Sequence, residues 1–299
     1  MEPFAPKLII VPTDFSDPAA HALRYAAALG KRFDAHLLVV FADHFLPAID
    51  FTAAPAGAFD VSRDAIIEET REELKEWAAR EVGTGIPYET RLVVDHPVEA
   101  IVDLVRLTGA NLIVMGTHGR SGLRRLLFGS VTEAVMRTAT VPVIAVNTST
   151  SESGAVSKVL CPVSFTAVCR DALRRAAALT DSPAAPLVLF RQIADDDSET
   201  RIDALVRMQE WVPRELLDRC ELKVVSTRPA AEQILDLALA RHADLIALGI
   251  SSDRTLGESL HGTVAERVVL RSTCPVLTIN PLAARTSTVV EKARELTAV

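Results

Sequence analysis

Residues 22–29 read Ala22-Leu23-Arg24-Tyr25-Ala26-Ala27-Ala28-Leu29, and 150 positions later the chain reads Ala172-Leu173-Arg174-Arg175-Ala176-Ala177-Ala178-Leu179. Seven of these eight residues are identical. The same offset aligns Leu8-Ile9-Ile10-Val11-Pro12 with Lys158-Val159-Leu160-Cys161-Pro162. Further on the offset falls to 133: Ala110-Asn111-Leu112-Ile113-Val114-Met115-Gly116 matches Ala243-Asp244-Leu245-Ile246-Ala247-Leu248-Gly249, and Val141-Pro142-Val143 matches Cys274-Pro275-Val276. Two matching registers make the chain a duplication. The drop of 17 between them means that the first copy carries extra residues, most of them in the apolar stretch 44–61 interrupted by Pro47, Pro55 and Gly57.

Within each copy strand and helix patterns alternate. In the first, Val/Ile/Leu-rich strands are expected at 7–11, 36–41, 88–94, 111–116 and 141–146, and helices at 17–32, 62–82, 97–109 and 130–139. The 62–82 helix sets Ile66, Ile67, Leu74 and Trp77 against a charged face, and Trp211 marks its counterpart. Apolar strands separated by helices imply right-handed crossovers and a mostly parallel sheet covered on both faces. A ligand then belongs beyond the carboxyl ends of the strands, where the strand order reverses.

The length of 299 residues suits two domains, expected at 1–149 and 155–299. Hydrophobic residues make up 49% and aromatics only 5%, so the apolar mass is Ala, Val and Leu, as layered α/β domains require. Against 39 acidic side chains there are 32 Lys and Arg, a net charge of −7, and neither half is a basic module. That balance argues against a nucleic-acid partner. Cys161, Cys169, Cys220 and Cys274 all lie in the second half without a C-x-x-C pair, which reads as small core residues in a reducing cytoplasm. The N-terminus does not read as a signal peptide, and no apolar run approaches the roughly 20 residues of a membrane span.

After the fourth strand the first copy reads Gly116-Thr117-His118-Gly119-Arg120-Ser121-Gly122, and Gly129-Ser130-Val131 opens the next helix. Glycines let backbone N–H groups approach a bound group, and a helix start offers unpaired N–H groups and partial positive charge. With Arg120, Arg124 and Arg125 nearby, these describe a phosphate cradle. A structural reading stands beside it. Ser130 and Glu133 form an S-x-x-E capping box, repeated by Thr263 and Glu266, and the glycines are also ordinary turn residues. Asp14 has a similar alternative as a helix cap before Asp17-Pro18.

Gly116-x2-Gly119-x9-Gly129-Ser130, the opening strand and turn Ile10-Val11-Pro12-Thr13-Asp14-Phe15-Ser16, and residues 111–120 resemble the universal stress protein family over nearly the whole chain, twice. The resemblance implies two tandem flavodoxin-like domains of the adenine nucleotide alpha hydrolase-like type. Each has a five-stranded parallel sheet with helices on both faces. The resemblance also implies a site for ATP, with or without Mg2+, in the first copy. There Pro12, Thr13 and Asp14 meet the adenosine, the backbone near Phe41 lines the adenine slot, and Met115, Gly116, His118, Gly119, Arg120, Gly129, Ser130 and Val131 hold ribose and phosphates. Single-domain relatives pair through their last strands, so 141–146 and 274–279 are expected to build that pairing within the chain as a pseudo-dimer. A further homodimer is left open.

The second copy departs from the motif: Ser164 stands for Asp14, Ser252 for Gly119, and Asp253 and Glu258 add negative charge. It is therefore expected to be a degenerate partner that binds no cofactor. There is no P-loop, no G-x-S-x-G elbow and no metal-ligand spacing among the seven histidines. Asp195-Asp196-Asp197 with Glu199 reads as a solvated loop, with a divalent-cation site as the alternative. Three functions stay open: an ATP-responsive stress or regulatory module meeting an unknown protein partner, a slow ATPase using Asp14 and His118, and a nucleotide-independent scaffold. The Ser/Thr-rich stretch 147–157 is expected to be a flexible linker. Segment 44–61 reads as a lid, a contact between chains, or quiet packing on its own domain.

Overall fold

A computed structural model describes residues 4–44, 58–118, 129–194, 197–226, 228–250 and 263–285. The first copy runs β1 (Leu8–Thr13), α1 (Asp17–Phe33), β2 (His36–Ala42), α2 (Ala58–Val82), β3 (Tyr88–Val93), α3 (Pro97–Thr108), β4 (Leu112–Gly116), α4 (Ser130–Thr138) and β5 (Val143–Val146). The second repeats it as β6 (Val159–Pro162), α5 (Ala167–Ala178), β7 (Leu187–Ile193), α6 (Ser198–Trp211), β8 (Cys220–Ser226), α7 (Ala230–Arg241), β9 (Leu245–Gly249), α8 (Val264–Arg271) and β10 (Val276–Ile279), with a 3-10 turn at Arg214–Arg219. Helix α2 begins four residues earlier than its sequence pattern suggests. Segment 45–57 lies outside the described residues.

Local chemistry sets the boundaries. Ser16 caps α1, its Oγ accepting from Ala19 N, and Pro18 supplies a helical φ in the first turn. Helix α3 opens on Pro97 and stops at Gly109, which takes φ +71° as a left-handed cap.

All ten strands form one sheet in the order β3-β2-β1-β4-β5-β10-β9-β6-β7-β8. Within each copy neighbours are parallel, and the copies meet antiparallel through β5 and β10, with Val143 opposite Thr278, Ile144 opposite Leu277 and Ala145 opposite Val276. The pairing expected of the last strands is thus made inside the chain, and it leaves neither of these edges open. Alternate side chains enter two cores. Ile9, Val11, Val39 and Phe41 pack under α1 and α2, while Ile10, Leu38, Val40 and Met115 pack under α3 and α4, and each core continues through the second copy.

The segment 147–157, expected to be flexible, is packed instead. Val156 is fully buried, Thr150 is buried, and α1 holds the stretch through His21, Arg24 and Arg32. His21 Nε2 lies 2.9 Å from Thr150 O, and Arg24 Nε donates to Glu152 at 2.8 Å. Arg32 donates to the carbonyls of Gly154 and Leu179 and pairs with Asp181 at 2.5 Å. Composition suggested a tether, but the hydroxyls are used locally: Thr150 Oγ1 donates to Asn147 O at 2.8 Å.

Candidate functional site

The first copy has strand order β3-β2-β1-β4-β5, so the order reverses between β1 and β4. Outside their carboxyl ends lie Pro12, Thr13 and Asp14 from β1, Met115, Gly116 and His118 from β4, and Gly129, Ser130 and Val131 at the start of α4. Gly119, Arg120, Arg124 and Arg125 lie outside the described residues.

Two bonds staple the ends of the intervening loop. Gly129 N donates to Thr117 O at 3.0 Å, and the buried Thr132 Oγ1 donates to Gly116 O at 2.8 Å. Close packing explains why Gly116 has no side chain: a Cβ there would stand 2.9 Å from Pro18 O and 3.0 Å from Pro18 C. At its counterpart Gly249 a Cβ would likewise stand 2.7 Å from Cys169 N. The first glycine of the motif therefore seats the first turn of the α1 or α5 helix on the sheet in both copies. Gly129 is less constrained, since its Cβ would lie 3.3 Å from Thr117 O.

The capping box expected at Ser130 is not made. Gly129 takes the cap position at φ −65°, ψ 126°, with no side-chain cap bond, because its N–H is tied back to Thr117 and the helix starts one residue later. Ser130, Val131 and Thr132 occupy the first three helical positions, whose N–H groups have no intrahelical acceptor. Helix α8 starts differently. Thr263 is its cap, and its Oγ1 accepts from Glu266 N at 3.2 Å. Copy two caps this start with its own side chain, where copy one has a glycine without one.

His118 stands beside this start. Its Nδ1 lies 2.8 Å from Thr117 Oγ1, and burial pushes the imidazole below its ordinary pKa. Its Nε2 is shielded from solvent and has no hydrogen-bond partner among the described residues. A buried polar atom without a partner costs about 1–3 kcal/mol, which a bound polar group would recover.

At the end of β1, Thr13 Oγ1 accepts from Phe15 N at 2.9 Å, and Asp14 Oδ1 accepts from Ser16 N at 3.1 Å and from Ser16 Oγ. The helix cap is Ser16, so Asp14 is not itself the cap. Phe15 takes φ +63° and stacks on Phe41 with ring centroids 4.8 Å apart. The Phe41 side chain thus faces the α1–α2 core, leaving only its backbone toward the strand ends. Copy two builds the same turn without the acid: Phe165 takes φ +60°, and Ser164 Oγ lies 3.0 Å from Thr166 Oγ1, the cap of α5. The turn does not require a carboxylate at position 14.

The crevice beside the second strand also differs between copies. Ala42 and Ala100 have Gln192 and Gln233 as counterparts, and these two glutamines hydrogen-bond across the gap while Gln192 Nε2 donates to Arg228 O at 2.8 Å. Arg191, the counterpart of Phe41, donates to Val163 O at 3.1 Å and lies over the Phe165 ring. What remains is a cavity of about 70 Å³ lined by Pro162, Phe190, Ala230 and Ile234 among others, well below the several hundred Å³ of ordinary ligand sites. Sequence reading missed Arg191, Gln192 and Gln233; the change from alanine to glutamine at matched positions was the available signal. A wider cleft of about 660 Å³ lies elsewhere, between α1, α2 and the linker, where Arg24 pairs with Glu81 and Glu152.

Asp197 caps α6 through Thr200 N at 2.9 Å, while Asp195 and Asp196 lie outside the described residues. Among the described residues no three His, Cys, Asp or Glu side chains converge on a metal position, and no helix is long and apolar enough to cross a membrane.

Two parallel half-sheets, each with a crevice at its β1–β4 or β6–β9 switch point, define a duplicated flavodoxin-like α/β protein. The chain belongs to the universal stress protein family, whose model matches residues 6–147 and again 155–280. Universal stress protein MJ0531 of Methanocaldococcus jannaschii is 35% identical over 141 residues, 47% of this chain and 81% of its own length. Universal stress protein MJ0577 of the same organism is 30% identical over 159 residues, 48% of this chain and 97% of its own. The crystal structure of a universal stress protein from Archaeoglobus fulgidus superposes at TM-score 0.70 with 21% identity, covering 91% of this chain and 96% of that one. That last likeness shows the duplicated fold.

Proposed function

We propose that the protein is a cytoplasmic, nucleotide-responsive stress module that binds ATP in its first domain, residues 1–149, while residues 155–299 form a degenerate partner domain. The observation that carries this reading is the contrast between the two matched helix starts. Thr263 satisfies the start of α8, whereas α4 begins at Gly129 with no side-chain cap and with the unpartnered Nε2 of His118 nearby. Phosphate oxygens would accept from the Ser130 and Val131 N–H groups. Asp14, whose place in the matching turn of the second copy is held by Ser164, would meet the ribose or base. Any Mg2+ would travel with the triphosphate, since the described residues offer no converging ligand set for it.

Calorimetric titration of the full chain with ATP, ADP and AMP tests the reading. The expected result is one site per chain, lost at least about tenfold in affinity in Asp14→Ser, with the fold unchanged because Ser164 already serves in that turn. Two sites per chain, or unchanged affinity in Asp14→Ser, would overturn it. A hydrolysis rate equal to the blank under the same conditions separates a binding module from a slow ATPase.

A further inference from the structure

The α5–α6 side of the second domain carries arginines at three positions where the first domain has none. Arg170 of α5, Arg191 of β7 and Arg207 of α6 correspond to Ala20, Phe41 and Glu73. All three gather on Phe165, just past β6, and on Trp211, at the end of α6. The guanidinium carbons of Arg191 and Arg207 lie 5.1 and 5.0 Å from the centroid of Phe165, and that of Arg170 lies 5.4 Å from Trp211. The two rings meet edge to face at 6.2 Å. In the first copy the matching ring, Phe15, packs on Phe41 at 4.8 Å and on Trp77 at 5.7 Å. A cation thus replaces an aromatic ring, Phe41, against this turn.

A guanidinium over a ring is stable packing in itself, so the rings account for where these cations sit. They leave most of the N–H groups unused. Arg170 Nε donates to Trp211 O and Arg191 Nη1 to Val163 O, each at 3.1 Å, out of five donors per guanidinium. Carboxylates close in sequence are engaged elsewhere, Asp171 with Arg175 and Glu215 with Arg174. Asp203 stands 3.8 Å from Arg207, beyond hydrogen-bond length, with the two side chains 67% and 61% exposed. Trp211 adds a donor of its own. It is 6% exposed, and its Nε1–H is buried without a partner among the described residues. Buried N–H groups are nearly always paired, so an orphan beside unspent guanidinium groups marks an acceptor that the described residues do not supply.

We propose that Arg170, Arg191, Arg207 and the indole N–H of Trp211 form an oxyanion site in the second domain, whose ligand is a phosphate group. A carboxylate has two oxygens in one plane and is met by a single arginine fork. A tetrahedral dianion accepts from several directions and answers more than one cation, as donors spread over α5, β7 and α6 require. The site is separate from the proposed nucleotide crevice, because it lies in the other copy and uses none of the motif positions. The domain that departs from the glycine motif then carries a ligand site of a different kind.

The chain has two tryptophans, so a proton–nitrogen correlation spectrum shows two indole signals, and Trp77→Phe assigns them. Inorganic phosphate and O-phosphoserine are titrated into the full-length protein at constant ionic strength. The Trp211 signal is expected to shift saturably with at least one of them while that of Trp77 stays in place. The tighter of the two tells whether the site takes the free ion or a phosphate ester. Arg191→Phe and Arg207→Glu install the first copy's residues, and each is expected to weaken binding at least about tenfold. Arg106→Gln, which removes an exposed charge from α3, is expected to leave it unchanged. Arg207 is exposed, so Arg207→Glu carries the test should Arg191→Phe fail to fold. A Trp211 signal that does not move, the same shift with acetate or chloride, or unaltered affinity in Arg207→Glu would each overturn the proposal. Asp14→Ser, on which the nucleotide reading depends, is expected to leave the Trp211 response intact, so the two results stay separable.

Discussion

Asn147 and Asn280 exchange helix ends across the centre of the sheet. Asn280 Nδ2 donates at 2.9 Å to the carbonyls of both Met136 and Ala139 at the end of α4, and Asn147 Nδ2 donates to Ser272 O at the end of α8. Each asparagine follows the last strand of its own copy and closes the last turn of the other's helix. The last carbonyls of a helix have no intrahelical donor, so the antiparallel β5–β10 joint supplies one from the opposite domain. The duplication thus folds as one body, with the joint fixed by side-chain bonds as well as by the three residue pairs of β5 and β10.

The two exchanges are unequal, and that is measurable. Asn280 is 3% exposed and its Oδ1 also accepts from Ala283 N at 2.9 Å, whereas Asn147 is half-buried and water can replace it. Asn280→Ala leaves two buried carbonyls without a donor and is expected to cost about 2–4 kcal/mol, while Asn147→Ala costs about 1 kcal/mol or less. Urea unfolding of both variants checks the order. Equal losses would mean that the joint is not held as the hydrogen bonds indicate.

Gly116 and Gly129, both motif glycines, are expected to fail in different ways. Gly116→Ala places a Cβ 2.9 Å from Pro18 O, backbone that cannot step aside cheaply, and is expected to lose about 1–3 kcal/mol of stability whether or not nucleotide is present. Gly129→Ala meets the Thr117 carbonyl oxygen at 3.3 Å, a contact that a shift of a few tenths of an ångström relieves, so its thermal midpoint should fall less than that of Gly116→Ala while ATP affinity falls. Thermal unfolding with and without ATP separates the two. A Gly116→Ala protein as stable as the parent would remove the packing role assigned to that glycine.

Much of this architecture was legible because parallel strands are buried on both faces and so stand out as unbroken apolar runs, as at 111–116 and 245–249. The pairing of the last strands was implied by the family resemblance, and the doubled register placed it at 141–146 and 274–279. The asparagine exchange was not legible as a contact: its partners lie 125 to 144 residues away, although an asparagine ends both V-P-V-I-A-V-N and C-P-V-L-T-I-N. The start of α4 at residue 130 was legible, but its cap was misread for a physical reason. An S-x-x-E string satisfies the capping pattern, but the tie from Gly129 N to Thr117 O moves the cap one residue upstream, and only tertiary structure contains that bond. The linker was misread because composition cannot tell a solvated hydroxyl from one that closes its own turn.

Within that linker, burial outweighs charge. Glu152 binds His21 and Arg24 but is 37% exposed at its side chain, so Glu152→Gln is expected to cost about 1 kcal/mol or less and to cost still less in high salt. Val156 is fully buried in the core shared with α1 and α5, so Val156→Ala is expected to cost about 2 kcal/mol, indifferent to salt. Urea unfolding at low and high ionic strength distinguishes them. A larger, salt-sensitive loss at Glu152 would make the ion pairs the principal clamp.

Alkaline pH offers a last test, since burial sets the titration of Cys274. Its thiol is pushed up from 9.0 to about 11, chiefly by desolvation. Between those values the unfolded chain has released the proton and the folded chain still holds it. The unfolded state therefore binds fewer protons, and stability falls as pH rises. The contribution is whole below about pH 9 and is lost as pH climbs through about 11. Position 141 in the first copy holds valine where the second has Cys274, so Cys274→Val suits the same strand entry. Subtracting its stability-versus-pH curve from that of the parent cancels the groups that do not interact with Cys274; Tyr25, shifted upward chiefly by burial, is also raised by the Cys274 charge. The difference is expected to be flat to pH 9 and then to favour the variant by up to about 1.4 kcal/mol per pH unit. A difference that stays flat to pH 11 would mean that the Cys274 thiol ionises as readily folded as unfolded, and so reaches water at a position the fold holds closed.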